Sequence, residues 1–181
     1  MDLTGLHIVR LEQNTIIKPF DCGDRDLNDF LFNDAKAYLK ELLAVTYLIE
    51  SESETIAFYS LLNDKITIKD VDSNNFWNRL RRDMPQRKKF SSYPAMKVGR
   101  LGVSNTLKGK GLGTVIIDYL KVLFVTGNRT GCKYLTVDAY RQSLKFYEKC
   151  GFKYLTEKDL EKDTRLMYFN LKIISDQVQN K

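Results

Sequence analysis

Three glycines alternate with charged and small residues in Lys108-Gly109-Lys110-Gly111-Leu112-Gly113-Thr114, a pattern suited to holding an anion. Without Cβ atoms, glycines let backbone N–H groups converge on one ligand. The residues that follow, Val115, Ile116, Tyr119, Leu120 and Leu123, recur at helical period, so a helix begins where the loop ends. Its first turn offers unsatisfied donors and a partial positive charge, and Lys108 and Lys110 add full charges, which suits a pyrophosphate. Nucleotide hydrolysis is disfavoured, because a Walker loop places a lysine before its Ser or Thr, whereas here Gly113 runs directly into Thr114. The dinucleotide fingerprint G-x-G-x-x-G fits no better, since the spacing here is G-x-G-x-G.

A second block, Phe146-Tyr147-Glu148-Lys149-Cys150-Gly151-Phe152, lies downstream. Together the two resemble the GNAT superfamily of N-acetyltransferases, whose phosphate loop reads Arg/Gln-x-x-Gly-x-Gly/Ala between a strand and a helix, and whose later signature is F-Y-x-x-x-G-F. Lys108 replaces the usual Arg or Gln, which keeps a donor and loses a planar one. The resemblance implies acetyl-CoA as co-substrate, a primary amine as acceptor and no metal. It places Lys108, Gly109, Lys110, Gly111, Leu112, Gly113, Thr114 and Phe146 around the cofactor. Backbone N–H groups of Leu101 and Val103 would polarise the thioester carbonyl, and Tyr147 would be the general acid toward the coenzyme A sulfur. Phe20-Asp21-Cys22-Gly23, Leu27-Asn28-Asp29-Phe30-Leu31, Tyr93-Pro94-Ala95, Gly99-Arg100-Leu101-Gly102-Val103 and Val137-Asp138-Ala139 further resemble the branch containing toxins that acetylate aminoacyl-tRNA. That likeness implies the α-amine of aminoacyl-tRNA as acceptor and an antitoxin as partner; separately, exposed strands or helices could make a homodimer.

The chemistry sets three tasks. The carbonyl must be polarised, the departing thiolate, whose thiol has a pKa of about 8.5, needs a proton, and the amine must be neutral. Asp21, Glu50, Asp138 and Glu148 all qualify as base and no motif selects among them. A lysine of pKa about 10.4 would need that base, whereas an α-amine of pKa about 7.7–8.0 is already substantially neutral, which favours the α-amine.

The elements that must position these residues follow from periodicity. A first strand is expected over Leu6–Leu11. Asp24 caps a helix burying Leu27, Phe30, Leu31, Tyr38, Leu39 and Leu42, and Thr46–Glu50 with Thr55–Asn63 form a hairpin. Phe76–Asp83 reads as a short helix stopped by Pro85, and Gln86–Ser92 as a basic loop. Ala95–Val103 is a strand and Leu112–Val125 a helix. Tyr134–Ala139 is a strand, Ser143–Cys150 a helix ending at Gly151, and Phe152–Leu155 and Thr164–Ile173 are strands. The expected class is α/β, or α+β by stricter naming: a mixed, mostly antiparallel twisted sheet flanked by helices. Residues 1–174 are expected to form one domain and residues 175–181 a flexible polar tail.

Composition removes other classes. His7 is the single histidine, so a His-rich metal site is excluded and a histidine-dependent hydrolase would have to use that ring. Cys22, Cys132 and Cys150 are widely spaced and read as reduced thiols. No run suggests a signal peptide or a membrane span, so a cytoplasmic location is expected. Arg79, Arg81, Arg82, Arg87, Lys88, Lys89, Lys97 and Arg100 crowd one segment with the lone acid Asp83, a candidate contact for tRNA phosphates. Two competing readings remain: a nucleic-acid-binding module without catalysis, using Trp77, Phe90 and Tyr93 to stack on bases, and a CoA-binding GNAT fold lacking activity.

Overall fold

A computed structural model describes residues 5–82, 90–127 and 130–179. Its strands are β1 (His7–Arg10), β2 (Val45–Glu50), β3 (Thr55–Thr67), β4 (Ser92–Val103), β5 (Tyr134–Tyr140), β6 (Lys153–Tyr154) and β7 (Thr164–Asn170). They form one sheet in the order β1-β2-β3-β4-β5-β7-β6. The pairs β1/β2, β2/β3, β5/β7 and β6/β7 are antiparallel and β4/β5 is parallel, the mixed sheet that the sequence predicts. The flanking helices are α1 (Arg25–Asp29), α2 (Ala35–Lys40), α3 (Asn74–Leu80), α4 (Leu112–Thr126), α5 (Leu144–Lys149) and α6 (Lys172–Gln179). The chain divides into two compact units, residues 1–62 with 98–117 and residues 63–97 with 118–181, and β3, β4 and α4 each run through both.

In the first unit, Leu11, Phe20, Cys22, Phe30, Leu31, Ala35, Leu48 and Phe58 form a buried cluster. Phe20 meets Phe58 edge-on at 5.4 Å and Phe30 stacks over it at 6.2 Å. Asp24 caps α1 as predicted, its carboxylate accepting the Leu27 N–H at 3.2 Å. The helix does not continue unbroken to Leu42. Phe30–Asp34 is a π turn, with the Ala35 N–H reaching back to the Phe30 carbonyl. One extra residue in a turn advances the buried stripe by about 100°. Ala35 therefore points inward, while Tyr38 and Leu42, expected in the core, are exposed.

In the second unit, Ile66, Val71, Trp77, Leu80, Tyr93, Ala95, Tyr134, Leu155 and Tyr168 form the buried cluster. Ser73 caps α3, its hydroxyl accepting the Phe76 N–H at 3.2 Å, so the helix starts and stops earlier than its apolar residues suggest. The Tyr134 hydroxyl donates to the Leu80 carbonyl at 2.8 Å, satisfying the end of α3 inside the core. Trp77 and Tyr93 are each 4% exposed and pack on one another at 5.2 Å. They are core residues and cannot stack on bases, which removes two of the three aromatics on which a pure nucleic-acid module would rest. Phe90 alone of the three is exposed.

Other boundaries move as well, and β4 already begins at Ser92. β3 continues past Asn63 to Thr67, where exposed Lys65 alternates with buried Ile66. The last strand ends at Asn170, and residues 172–179, those from Ser175 onward expected in an unstructured tail, form α6, whose Ile174 and Ser175 N–H groups bond the Leu171 carbonyl. The basic residues Arg87, Lys88 and Lys89 lie outside the described residues, as do Asp83 and Pro85.

Candidate active site

The glycine loop belongs to the first unit and is built from the exit of β4 onward. Leu101 and Val103 are half-buried on β4. Past them the Ser104 N–H bonds the Ile56 carbonyl at 2.8 Å and the Asn105 N–H bonds the Asp21 carbonyl at 2.9 Å. These bonds tie the end of the strand to β3 and to the Phe20–Gly23 segment. A turn of 3-10 helix, Asn105–Leu107, leads to Gly109 at φ +78° and Gly111 at φ +87°. An added Cβ on either would meet open space, so both are glycine for the sake of the left-handed backbone rather than for room. Helix α4 starts at once. Its Val115 N–H already bonds the Gly111 carbonyl at 3.1 Å, so the donors of Leu112, Gly113 and Thr114 are those a helix start leaves without intrahelical acceptors. Buried Leu112 anchors the turn, while Lys108, Gly109, Lys110, Gly111 and Thr114 are exposed. Left-handed glycines, a helix N-terminus and two exposed lysines thus follow one another along the Lys108–Thr114 segment.

Asp21 organises this corner. Its carboxylate accepts from the Gly23 N–H at 2.8 Å, the Asn28 amide at 2.7 Å and the Asn105 amide at 3.3 Å. Those bonds, together with the charge of Lys108, hold its carboxyl below the usual range, although the little burial it has works the other way. A carboxylate so satisfied is a weak base and a good hinge-pin between α1 and the loop. Asn105 has no signature in the sequence; the available signal is only a polar residue directly after a strand. Asp21, Arg25, Asn28, Asp29, Phe32 and Asn33 line an open depression in the same unit.

Phe146 and Tyr147 belong to the second unit. Here the F-Y-x-x-x-G-F spacing has a physical meaning. The Phe152 N–H bonds the Tyr147 carbonyl at 3.0 Å and the Gly151 N–H bonds the Glu148 carbonyl at 2.8 Å, with Gly151 at φ +83°. That is a Schellman cap, and its usual apolar contact is supplied by Tyr147 and Phe152, whose rings meet at 5.5 Å. Phe146 packs edge-on to Tyr147 at 4.9 Å. Tyr147 is 6% exposed, and its hydroxyl has no hydrogen-bond partner among the described residues, yet is not sealed from solvent. Burial, with a smaller push from Cys150, drives its pKa far above the ordinary phenol value.

The four candidate bases are all engaged. Besides Asp21, Glu50 pairs with Lys18 at 3.2 Å, Asp138 accepts from Lys97 at 2.9 Å, and Glu148 accepts from the Tyr154 hydroxyl at 2.8 Å. The basic segment also divides. Lys97 sits between Asp138 and Asp64, the latter at 3.6 Å, and these carboxylates hold its pKa above the ordinary value although burial opposes them. Arg100 lies in the first unit, over the Phe30 ring at 5.2 Å. Arg79, Arg81 and Arg82 remain at the end of α3, Arg79 and Arg82 exposed. The β4–β5 ladder pairs Ala95 with Tyr134, Met96 with Leu135 and Lys97 with Thr136, and stops there while β4 runs on to Val103. No group of His, Cys, Asp and Glu able to hold a metal occurs among the described residues, and no described helix is long and apolar enough to cross a membrane.

The profile of the acetyltransferase (GNAT) domain matches residues 77–154. Glucosamine 6-phosphate N-acetyltransferase 1 of Dictyostelium discoideum is 42% identical over 50 residues, which span 28% of this chain and 30% of that protein. Two solved structures are similar over nearly their whole length. AtaT complexed with acetyl-methionyl-tRNAfMet has a TM-score of 0.77 at 20% identity, covering 96% of this chain and 99% of its own. A tyrosine-to-phenylalanine variant of KacT has a TM-score of 0.75 at 20% identity, with the same coverage. AtaTR bound with AcCoA is also similar, at a TM-score of 0.74 and 20% identity over 96% of this chain and 98% of its own. These likenesses establish the fold.

Proposed function

We propose, from the premise that this chain has the GNAT acetyltransferase fold, that it transfers an acetyl group from acetyl-CoA to a primary amine. The observation that carries the reading is the loop from Lys108 to Thr114, where two left-handed glycines deliver exposed N–H donors and two lysines to the start of α4. The pyrophosphate of acetyl-CoA binds there. Leu101 and Val103 supply backbone donors to the thioester carbonyl, a role supported by the end of the β4–β5 ladder at Lys97 and Thr136. Attack by the neutral amine gives a tetrahedral intermediate, and its collapse breaks the C–S bond. Tyr147 gives the departing thiolate its proton, and the amine loses its own to water or solvent base. Because burial keeps Tyr147 protonated at any working pH, it holds its proton until charge develops on the sulfur, and the phenolate left behind takes a proton back from solvent, balancing the one the amine released.

The acceptor we favour is the α-amine of an aminoacyl-tRNA. All four candidate carboxylates are engaged, so an amine that is already largely neutral suits the site. Of the basic segment we assign Arg79, Arg81 and Arg82 to the tRNA phosphates, since Lys97 and Arg100 are engaged with Asp138, Asp64 and Phe30. The solved relatives include AtaT with acetyl-methionyl-tRNAfMet and an AtaT variant bound to the C-terminus of its antitoxin AtaR, so an antitoxin partner belongs to the same reading. The decisive experiment is calorimetric titration with acetyl-CoA, followed by acetyl transfer to charged tRNA, free amino acids and lysine peptides. Binding lost in Gly111→Trp, with turnover confined to charged tRNA and weakened by Arg79→Ala/Arg82→Ala, supports it. Absence of acetyl-CoA binding refutes the enzyme; equal turnover on lysine peptides refutes the acceptor.

A further inference from the structure

Lys121, on α4, is buried to 6% exposure, an uncommon position for a lysine. Its ammonium donates to the Cys150 carbonyl at 2.7 Å and to Asp118 at 2.7 Å, and lies 4.6 Å from the centre of the Phe169 ring. Asp118 is largely exposed, so the enclosed partner is the Cys150 carbonyl. All of these residues belong to the second unit.

The position of that carbonyl gives the lysine its meaning. In the cap that ends α5, the Phe152 and Gly151 N–H groups satisfy the carbonyls of Tyr147 and Glu148, and Cys150 is the cap residue itself. Its carbonyl accepts from the Lys121 ammonium in a buried setting, where a hydrogen bond to a charged donor is worth more than at the surface. The ammonium also lies over the face of Phe169, which packs on Phe152 at 5.8 Å, and Phe152 packs on Tyr147. A Cβ on Gly151 would meet the same Phe169 ring at 3.2 Å, so the cap, the aromatic cluster and the lysine are close-packed.

We infer that Lys121 is a positioning residue for the reaction: by binding the Cys150 carbonyl at the end of the cap, it fixes the turn that aims the Tyr147 hydroxyl. This rests on reading Tyr147 as the acid. It predicts a defect that appears in turnover and depends on the tyrosine.

The test compares the intact protein, Lys121→Met, Tyr147→Phe and the double variant, measuring thiol release from acetyl-CoA with charged tRNA as acceptor. Lys121→Met should lower kcat by about 10- to 100-fold, the scale on which small misplacements act, with the KM for acetyl-CoA within about threefold. In the Tyr147→Phe background the same change should cost less than about twofold. An equal loss in both backgrounds, or a change confined to KM, overturns the inference. Unchanged turnover in Tyr147→Phe instead overturns the acid assignment, which the same four proteins reveal separately. Lys121→Gln, a neutral donor, should give an intermediate defect and serves if the methionine variant does not fold. Amide hydrogen exchange provides a readout without any acceptor: the Gly151 and Phe152 N–H groups should exchange at least tenfold faster in either variant, and unchanged protection overturns the inference.

Discussion

Replacing Tyr147 by phenylalanine removes one oxygen and leaves its packing in place. The ring contacts with Phe146 at 4.9 Å and Phe152 at 5.5 Å survive, and the hydrogen bonds of the Schellman cap use only the backbone of residue 147. The hydroxyl has no partner among the described residues, so no hydrogen bond is lost and the melting temperature at neutral pH should be unchanged or slightly higher. Turnover should fall sharply. Loss of a positioned general acid is worth about 10²–10⁴-fold, or roughly 3–5 kcal/mol of barrier at about 1.36 kcal/mol per decade. The assay is steady-state thiol release, run first with acetyl-CoA and then with an aryl thioester of acetate whose thiolate leaves without protonation. If Tyr147 protonates the leaving group, the variant's deficit should shrink by at least tenfold with the aryl donor. A deficit of the same size with both donors would refute the acid role even if kcat had fallen. Alkaline stability gives a second readout. Burial raises the folded pKa of Tyr147, so its neutral form contributes stability that is complete below the ordinary phenol value of 10.0 and is lost as pH rises beyond it. Intact protein should lose stability above that pH more steeply than the variant does.

Four further outcomes follow from particular contacts. Gly151→Ala forces an L-residue to φ +83° against Phe169, and should lower the melting temperature by about 2–8 °C while depressing kcat; an unchanged melting curve contradicts the cap. Gly111→Ala meets no steric neighbour, so its cost is confined to the loop backbone: acetyl-CoA affinity by calorimetry should weaken at least fivefold with little change in global stability. Tyr134→Phe leaves the Leu80 carbonyl without its donor in the core and should cost about 1–3 kcal/mol by urea denaturation. Asp21 is held below its ordinary value of 3.8, chiefly by the Gly23 N–H and then by Asn28, so its contribution to stability is present above that value and lost as pH falls past it. Asp21→Asn should accordingly leave the shape of the rate profile between about pH 5 and 9 unchanged, and a shifted acid limb there would restore Asp21 as a base.

The form of the glycine loop was legible because two independent signals coincide: glycines at fixed spacing, and the helical stripe from Val115 to Leu123 that tells where the helix must start. The Tyr147 block was legible as a pattern, but its reason, a helix cap, emerges only from the bonds made by Gly151 and Phe152. The α1–α2 region misled because a π turn carries no composition of its own, and one added residue at Phe30–Asp34 reverses which of Ala35 and Tyr38 faces inward. Charge misled differently. Lys97 and Arg100 count toward a basic segment in the sequence, yet the strand directs Lys97 to Asp138 and Asp64 and Arg100 onto Phe30, partners distant in the chain. Trp77 and Tyr93 likewise resemble a stacking platform until the core between α3, β4 and β5 is seen to claim them. The α6 helix was missed because only Ile173, Ile174 and Val178 interrupt its polar residues.

The burial of Trp77 has a practical side. It is the single tryptophan of the chain, enclosed against Tyr93 in the core of the second unit. Selectively excited indole emission therefore reports the integrity of that core and of no other, whereas far-ultraviolet circular dichroism sums every helix and strand. Emission and dichroism curves that superimpose on denaturation would mark one cooperative transition, and curves that part would time the second unit's unfolding against the rest. The protein carries its own optical label for the half that holds the tyrosine, with none on the half that holds the loop.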